Sequence, residues 1–366
     1  MAEEYRGRHR APDPEYVPGA PVGTGLHEAT TGAGFLIPTT TPAIEVIGVQ
    51  KVFGDHLAVA DVSFSVPPGT IFALLGPNGA GKTTIVNMLC TLLKPDAGVA
   101  RINGHDVTKD AAAVRRSIML TGQFAALDEA LTGRENLILF GRLLGLSKAA
   151  AVRRSDELLE SFALTEAADR RVREYSGGMR RRVDIACGLV TSPKVVFLDE
   201  PTTGLDPRSR QEVWRLVESL REQGVTTLLT TQYLEEADVL SDRIVVIDHG
   251  RVIADGTAEE LKASIGTSFY EVTPLNPDEV GRVRTLLIDL VTSTPTGITQ
   301  GPSATDVSVS VSAGNGAGAL VEIVRRTTDA GVELSDVALR TPTLDEVFLA
   351  LTDRGDNQPN RVETRA

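Results

Sequence analysis

The sequence is short of cysteine. Only Cys90 and Cys187 occur in 366 residues, each inside an apolar stretch of helical character. That argues against a disulfide framework or a cysteine-built metal site, and both are expected as reduced core residues. Long apolar runs are missing too. The longest, such as IFALL (71–75) and VVFL (195–198), fall far short of the roughly 18 residues a membrane helix needs. No N-terminal apolar core with a cleavage site is present, so no secretory signal is read. The chain is expected in the cytosol, and any membrane-spanning part of its work falls to another chain. A positive charge balance is lacking as well, with 37 Lys and Arg against 49 Asp and Glu. A net charge of −12 argues against electrostatic binding of nucleic acid, because neutralising phosphates needs a basic surface.

What is present is a globular composition, 42% apolar and 23% charged, with length for two or three domains. Residues 1–42 are rich in Pro, Gly, Thr and mixed charge without apolar periodicity, and are expected to be disordered, as is the tail 353–366. Residues 43–265 alternate strand-like and helix-like patterns, as an α/β sheet domain does. AIEVIGVQKVF (43–53) and HLAVADVSFSV (56–66) look like an antiparallel pair. IFALLG (71–76), KVVFLDE (194–200), VTTLLTT (225–231) and DRIVVIDHG (242–250) look like buried strands. Residues from about 128 to 190 look mostly helical, and Thr132 with Glu135 has the spacing of a capping box. After residue 266 the pattern becomes a small α+β unit reaching to 352. Its strands are expected at 269–275, 306–312 and 332–339, and its helices near 277–291, 317–329 and 343–352. Leu320, Ile323, Val324 and Thr327 share one face of the second helix.

Three short stretches carry chemistry. GPNGAGKT (76–83) follows the strand IFALL and fits a phosphate-binding loop. Gly76, Gly79 and Gly81 let the backbone curl its N–H groups toward phosphate oxygens, and the following helix adds its positive end. Lys82 is a point charge for the β- and γ-phosphates, and Thr83 offers a hydroxyl to magnesium. Pro77, Asn78, Ala80 and Thr84 complete the expected nucleotide contacts. VVFLDE (195–200) ends a buried strand with two carboxylates. Asp199 is placed to hold the metal and Glu200 to polarise an attacking water. YSGGMRRR (175–182) opens a helix with a hydroxyl and bare amides, a second anion site.

Together with LDEPTTGLD (198–206), these stretches resemble the ATP-binding cassette superfamily over residues 43–265. The resemblance implies a P-loop fold with a RecA-like core, an antiparallel β subdomain and a helical subdomain at about 128–190. It also implies ATP and Mg2+ as ligands. By the same resemblance Phe53 stacks on adenine, and Gln123 in TGQF (121–124) contacts magnesium and senses a membrane partner. Ser176, Gly177 and Gly178 close over the ATP of a second copy, and Asp206 communicates across that dimer. Gln232 stands where the family has a histidine, Tyr175 where it has leucine, and Met179 where it has glutamine. A glutamine amide keeps a hydrogen-bond donor near the γ-phosphate without a titratable charge, so Gln232 joins Glu200 as a catalytic candidate. TTQYLEEAD (230–238), YSGGMRRR and TLDEVFLALT (343–352) resemble more closely the daunorubicin-resistance-type ATPase subunits of bacterial drug and lipid exporters.

The expected function is thus ATP hydrolysis at the cytoplasmic face of the cell membrane. It powers a separately encoded polytopic permease, which alone contacts the drug, antibiotic or lipid cargo. A homodimer is expected, because each copy holds one phosphate loop and one signature. The alternatives are a soluble cassette ATPase on ribosomes or DNA and a non-hydrolysing regulatory cassette. Only 53 positions separate Gln123 from Ser176, which leaves no room for a repair-type coiled coil, and intact Lys82, Asp199 and Glu200 speak for hydrolysis. Two further expectations concern charge. Arg170, Arg171, Arg173, Arg180, Arg181 and Arg182 read as solvated faces and ion pairs, and Glu235, Glu236 and Asp238 as a polar helix face. For helix 343–352, docking on the cassette or stabilising the dimer stands beside covering its own small unit.

Overall fold

The computed structural model describes residues 41–122, 127–265, 268–290, 308–313 and 317–355. Gln123 and nearly all of the segments 1–42 and 353–366 lie outside the described residues.

The chain opens with an antiparallel hairpin, β1 (Ile44–Phe53) and β2 (His56–Val66), joined by Gly54 and Asp55. Next come β3 (Ile71–Leu75), α1 (Lys82–Leu89), β4 (Ala97–Ile102), β5 (His105–Asp106), α2 (Ala111–Ser117) and β6 (Ile118–Thr121). A helical stretch holds α3 (Gly133–Leu143), α4 (Lys148–Ser161) and α5 (Gly177–Gly188). It is followed by β7 (Val195–Asp199), α6 (Pro207–Glu222), β8 (Thr226–Thr231), α7 (Leu234–Leu240), β9 (Arg243–Asp248), β10 (Arg251–Gly256) and α8 (Ala258–Ile265). The end of the chain carries β11 (Phe269–Pro274), α9 (Val280–Leu286), β12 (Val309–Ser312), α10 (Ala317–Asp329), β13 (Leu334–Arg340) and α11 (Leu344–Gly355). These strands make three sheets, in the orders β2-β1-β4-β5, β10-β9-β3-β8-β7-β6 and β12-β11-β13. The first and third are antiparallel. In the second, β9, β3, β8, β7 and β6 run parallel, and β10 closes the edge antiparallel.

The uninterrupted apolar runs of β3 and β7 follow from burial on both faces. Along β3, Phe72 and Leu74 face the core shared with the antiparallel sheet, α1 and α2, while Ile71, Ala73 and Leu75 face the helical side. Along β7, Val195 and Phe197 alternate with Val196 and Leu198 in the same way. The strands β4, β5, β6 and β10 were not among the sequence expectations. β6 and β10 are the sheet edges and too short or too mixed to show a period. Cys90 and Cys187 are free and buried, and burial pushes both thiols up.

The capping box at α3 is present in full. Thr132 Oγ1 accepts from the Glu135 N–H at 3.1 Å, and Glu135 Oε2 accepts from the Thr132 N–H at 2.8 Å. At the chain's end one expectation is corrected and one open alternative is decided. On α10 the inward face is Ala319, Ile323 and Thr327, with Leu320 partly buried, whereas Val324 is 46% exposed. On α11, Leu344 and Val347 do not join the small sheet's core. They pack with Ala237, Leu240 and Leu261 of α7 and α8, so this helix docks on the core beneath the six-stranded sheet.

A second correction concerns Glu236, read from sequence as part of a polar helix face. Glu235 is exposed and pairs with Arg210, and Asp238 pairs with Lys262. Glu236 is instead fully buried. Its Oε1 accepts from Thr202 Oγ1 at 2.8 Å and from Trp214 Nε1 at 3.1 Å. Burial pushes its carboxyl above the usual range, against the opposing pull of the Thr231 and Thr202 hydroxyls and the Trp214 indole.

Two stability predictions follow from these contacts. Thr132→Ala removes a cap and should cost about 1 kcal/mol, read as a lower denaturant midpoint with unchanged slope; an unshifted midpoint would contradict it. Because the Glu236 carboxyl holds its proton more tightly folded than unfolded, its contribution is full below the unfolded value near 4.5. It declines as pH rises through the folded value. Glu236→Gln keeps the acceptor oxygen and removes that slope. It should gain melting temperature on the parent chain as pH rises from 4.5 to about 8. Parallel curves for the two chains would count against the buried acid.

Candidate functional site

The carboxyl ends of the central parallel strands build the site. Leu75 of β3 lies opposite Thr231 of β8, and Thr230 lies opposite Asp199 of β7, so three loops leave the sheet at one level. The first is the glycine loop between β3 and α1. A Cβ on Gly76 would stand 2.2 Å from the Ile247 carbonyl oxygen. One on Gly81, at φ +104°, would stand 2.6 Å from the Ala58 carbonyl oxygen. Both glycines are therefore required by close packing of the loop on the two sheets, in addition to the freedom its turn needs. Gly79 also has positive φ, with open space around it.

Lys82 is buried and turns back into the loop, donating from Nζ to the Gly76 carbonyl at 2.8 Å and the Pro77 carbonyl at 3.1 Å. Burial lowers its hold on the proton, and Glu200 and Asp199 oppose that effect. Thr83 Oγ1 donates to Asp199 Oδ2 at 3.2 Å, and Thr230 Oγ1 donates to Asp199 Oδ1. Asp199 is itself buried at the strand end. Glu200 adopts the left-handed conformation at φ +47°. Its N–H donates to the Thr230 carbonyl at 3.1 Å, and its Oε2 accepts from Thr203 Oγ1 at 3.2 Å.

Lys82, Thr83 and Glu200 share one open cleft of about 380 Å³, lined also by Phe53, His56, Ala58, Asn78, Gly79, Gly81 and Thr84. Phe53, 45% exposed at the tip of the first hairpin, lines that cleft, with Lys51 Nζ 5.5 Å from its ring centroid. Gln232 is half-buried and follows Thr231, whose carbonyl accepts from the Gly76 N–H at 3.4 Å. Gly76, Pro77 and Ala80 belong to the loop without lining the cleft.

Ser176, Gly177, Gly178 and Asp206 do not line it either. Ser176 caps α5, accepting from the Met179 N–H at 3.2 Å. Asp206 caps α6, accepting from the Ser209 N–H at 3.0 Å and Ser209 Oγ at 2.6 Å, which hold its carboxyl below the usual range. The two caps are neighbours. A Cβ on Gly178 would stand 2.4 Å from Ser209 Oγ, so α5 meets α6 at this glycine. Tyr175, just before Ser176, is buried and donates to the Ala167 carbonyl at 2.6 Å.

Of the arginines expected on solvated faces, Arg180 pairs with Glu129 and Arg182 with Glu212. Arg181 pairs with Asp184 but is not on a solvated face: it is buried among backbone carbonyls. Sequence reasoning missed Arg181, Glu236, Thr203 and Thr230. A signal existed for two of them. Arg181 lies at i+3 from buried Gly178 and i−4 from buried Ile185, and Glu236 lies at i−4 from buried Leu240. For the two threonines no pattern was available. Among the described residues, no group of three or more His, Cys, Asp and Glu side chains is arranged to hold a metal, and no helix is long and apolar enough to cross a membrane.

Comparison with known proteins agrees with this geometry. Residues 59–203 match the family described as ABC transporter. The doxorubicin resistance ATP-binding protein DrrA of Mycobacterium tuberculosis is 55% identical over 312 residues, covering 85% of this chain and 93% of that protein. The Nod factor export ATP-binding protein I of a Rhizobium species is 44% identical over 239 residues, covering 65% and 79%. A solved ATP-binding subunit of an ABC transporter superposes with a TM-score of 0.55 at 31% identity, covering 61% of this chain and 92% of that one. A glycine loop on a parallel sheet, a buried Asp–Thr pair beneath it and homology along most of the chain lead to one conclusion: this chain belongs to the ATP-binding cassette ATPases of transporters, in the branch of the daunorubicin and doxorubicin resistance subunits.

Proposed function

We propose that this chain hydrolyses ATP as a homodimer at the cytoplasmic face of a membrane, driving export through a separately encoded polytopic permease. One observation carries the reading. Phe53, the glycine loop and Glu200 line one cleft, with Thr83 and Asp199 bonded at its floor, while Ser176, Gly177 and Gly178 line no part of it. The first set fits a nucleotide. The second is an anion site outside that cleft, and a second copy of the chain is the simplest owner of the phosphate it closes on.

Adenine stacks on Phe53, and the phosphates lie against the amides of 76–84. Lys82 exchanges the Gly76 and Pro77 carbonyls for phosphate oxygens, whose charge restores what burial takes from the ammonium. Thr83 and Asp199 form an all-oxygen donor set that suits magnesium. Gln123 would add a third oxygen and report to the permease. When bound there, magnesium neutralises charge building up on the phosphates. Glu200, held by Thr203, takes a proton from the attacking water. Gln232 donates to the γ-phosphate and stays uncharged at any physiological pH. Asp206 carries the state of one site to the other copy. Relatives named for doxorubicin resistance and Nod factor export support an amphipathic drug, antibiotic or lipid as cargo, touching the permease rather than this chain.

Two substitutions test the assignment. Glu200→Gln should keep Mg-ATP affinity, lose turnover by about a hundredfold or more, and elute from a sizing column as an ATP-stabilised dimer. Normal phosphate release in that variant would remove Glu200 as the base. Gln232→Ala should slow turnover by about tenfold, the cost of one hydrogen bond to a charged group; hydrolysis at the parent rate would end the sensor role.

A further inference from the structure

Arg181 lies in the second turn of α5, five residues beyond the Ser176 cap, with 8% of its surface exposed. Its guanidinium is directed at backbone. Nε donates to the Pro201 carbonyl at 2.9 Å, Nη1 to the Gly122 carbonyl at 2.9 Å, and Nη2 to the Asp199 carbonyl at 3.3 Å. The accompanying carboxylate is Asp184, one turn along the same helix, at 3.4 Å from Nη1. Asp199 and Pro201 flank Glu200, and Gly122 follows β6 directly. One side chain thus binds the peptide that enters Glu200, the peptide beyond it, and the end of a neighbouring strand.

Glu200 needs such a hold. At φ +47° it occupies a region that non-glycine residues enter at a cost of about 1–3 kcal/mol and keep only where the surroundings over-determine them. On one side its N–H is fixed by the Thr230 carbonyl. On the other, the carbonyls around it are fixed by Arg181. The planar fork of a guanidinium can serve three carbonyls at once, whereas an ammonium offers a single point charge.

We infer that Arg181 is a positioning residue for hydrolysis: by holding the carbonyls on either side of Glu200 it aims that carboxylate, and it couples the aim to the helix that begins at Ser176. A displacement of α5 then reaches Glu200 through one rigid group. The inference rests on the reading of Glu200 as the base.

The test uses the full-length chain with its membrane subunit, measuring phosphate release, Mg-ATP affinity with a fluorescent nucleotide, and melting temperature. R181K keeps a charge beside Asp184 and loses the fork. It should melt near the parent and bind Mg-ATP within about threefold, while kcat falls about ten- to a hundredfold, the scale of a small misplacement of a reacting group. Parent-like kcat, or weaker binding at unchanged kcat, would overturn the inference. If R181K does not fold, R181Q/D184N removes both charges and is judged by the same split. If neither variant folds, Arg181 serves the fold alone and the inference fails. E200Q runs alongside. Should it hydrolyse normally, the failure belongs to the reading of Glu200 and carries the inference down with it; a dead E200Q with a fully active R181K sinks only the inference.

Discussion

The register of β3, β8 and β7 is the constraint on which the site depends. Leu75 opposite Thr231 and Thr230 opposite Asp199 bring Gly76, Gln232 and Glu200 off the sheet together. Each strand is buried on both faces, so a slip of one residue would exchange its two cores, sending Phe197 into the space of Leu198 and Asp199 away from Thr83. The apolar runs therefore do more than fill the interior. They fix at which height a loop begins, and a hydroxyl and a carboxylate 3.2 Å apart follow from that height.

Beyond the strand ends, residues 199–203 lie almost entirely outside regular structure, yet they are held from three sides. Thr230 on β8 takes the Glu200 N–H, Arg181 on α5 takes the carbonyls of Asp199 and Pro201, and Glu236 on α7 takes the Thr202 hydroxyl. Each contact is buried or partly buried, where a satisfied hydrogen bond is strong and an orphaned one costly. Such a loop is expensive to deform partway. It is suited to keep Glu200 in a backbone conformation it would not choose alone.

This arrangement explains which parts were legible in the sequence. The glycine loop, the strand ending in Asp199 and Glu200, and the capping box at Thr132 are local, since a few consecutive residues carry both the geometry and the chemistry. The small sheet was legible for the same reason, through alternation along β11 and β12. Arg181 and Glu236 were not, because charge suggested solvent while burial is decided by elements 18 to 59 residues away along the chain. Helical spacing from Gly178 and Leu240 pointed inward for both, and that periodicity was the better guide than residue type. Docking of α11 was open for a similar reason. An amphipathic stripe states that something covers it, and only the three-dimensional placement of Ala237, Leu240 and Leu261 supplies what.

The contact between α5 and α6 bears on how the proposed dimer could work. Gly178 lets α5 approach Ser209, and Ser209 in turn binds the Asp206 carboxylate. The amides beyond Ser176 and the carboxylate of Asp206 are thus joined through one serine, and a side chain at residue 178 would push them apart. Two groups that the proposed assembly directs at a second copy are therefore built as a single edge. Arg181 extends that edge inward to Glu200 along the same helix. A second copy's phosphate that drew the Ser176 end of α5 toward itself would then act on the hydrolytic carboxylate of this copy through a guanidinium and two peptide bonds, a path short and stiff enough that binding at one site need not be relayed through the permease to be felt at the other.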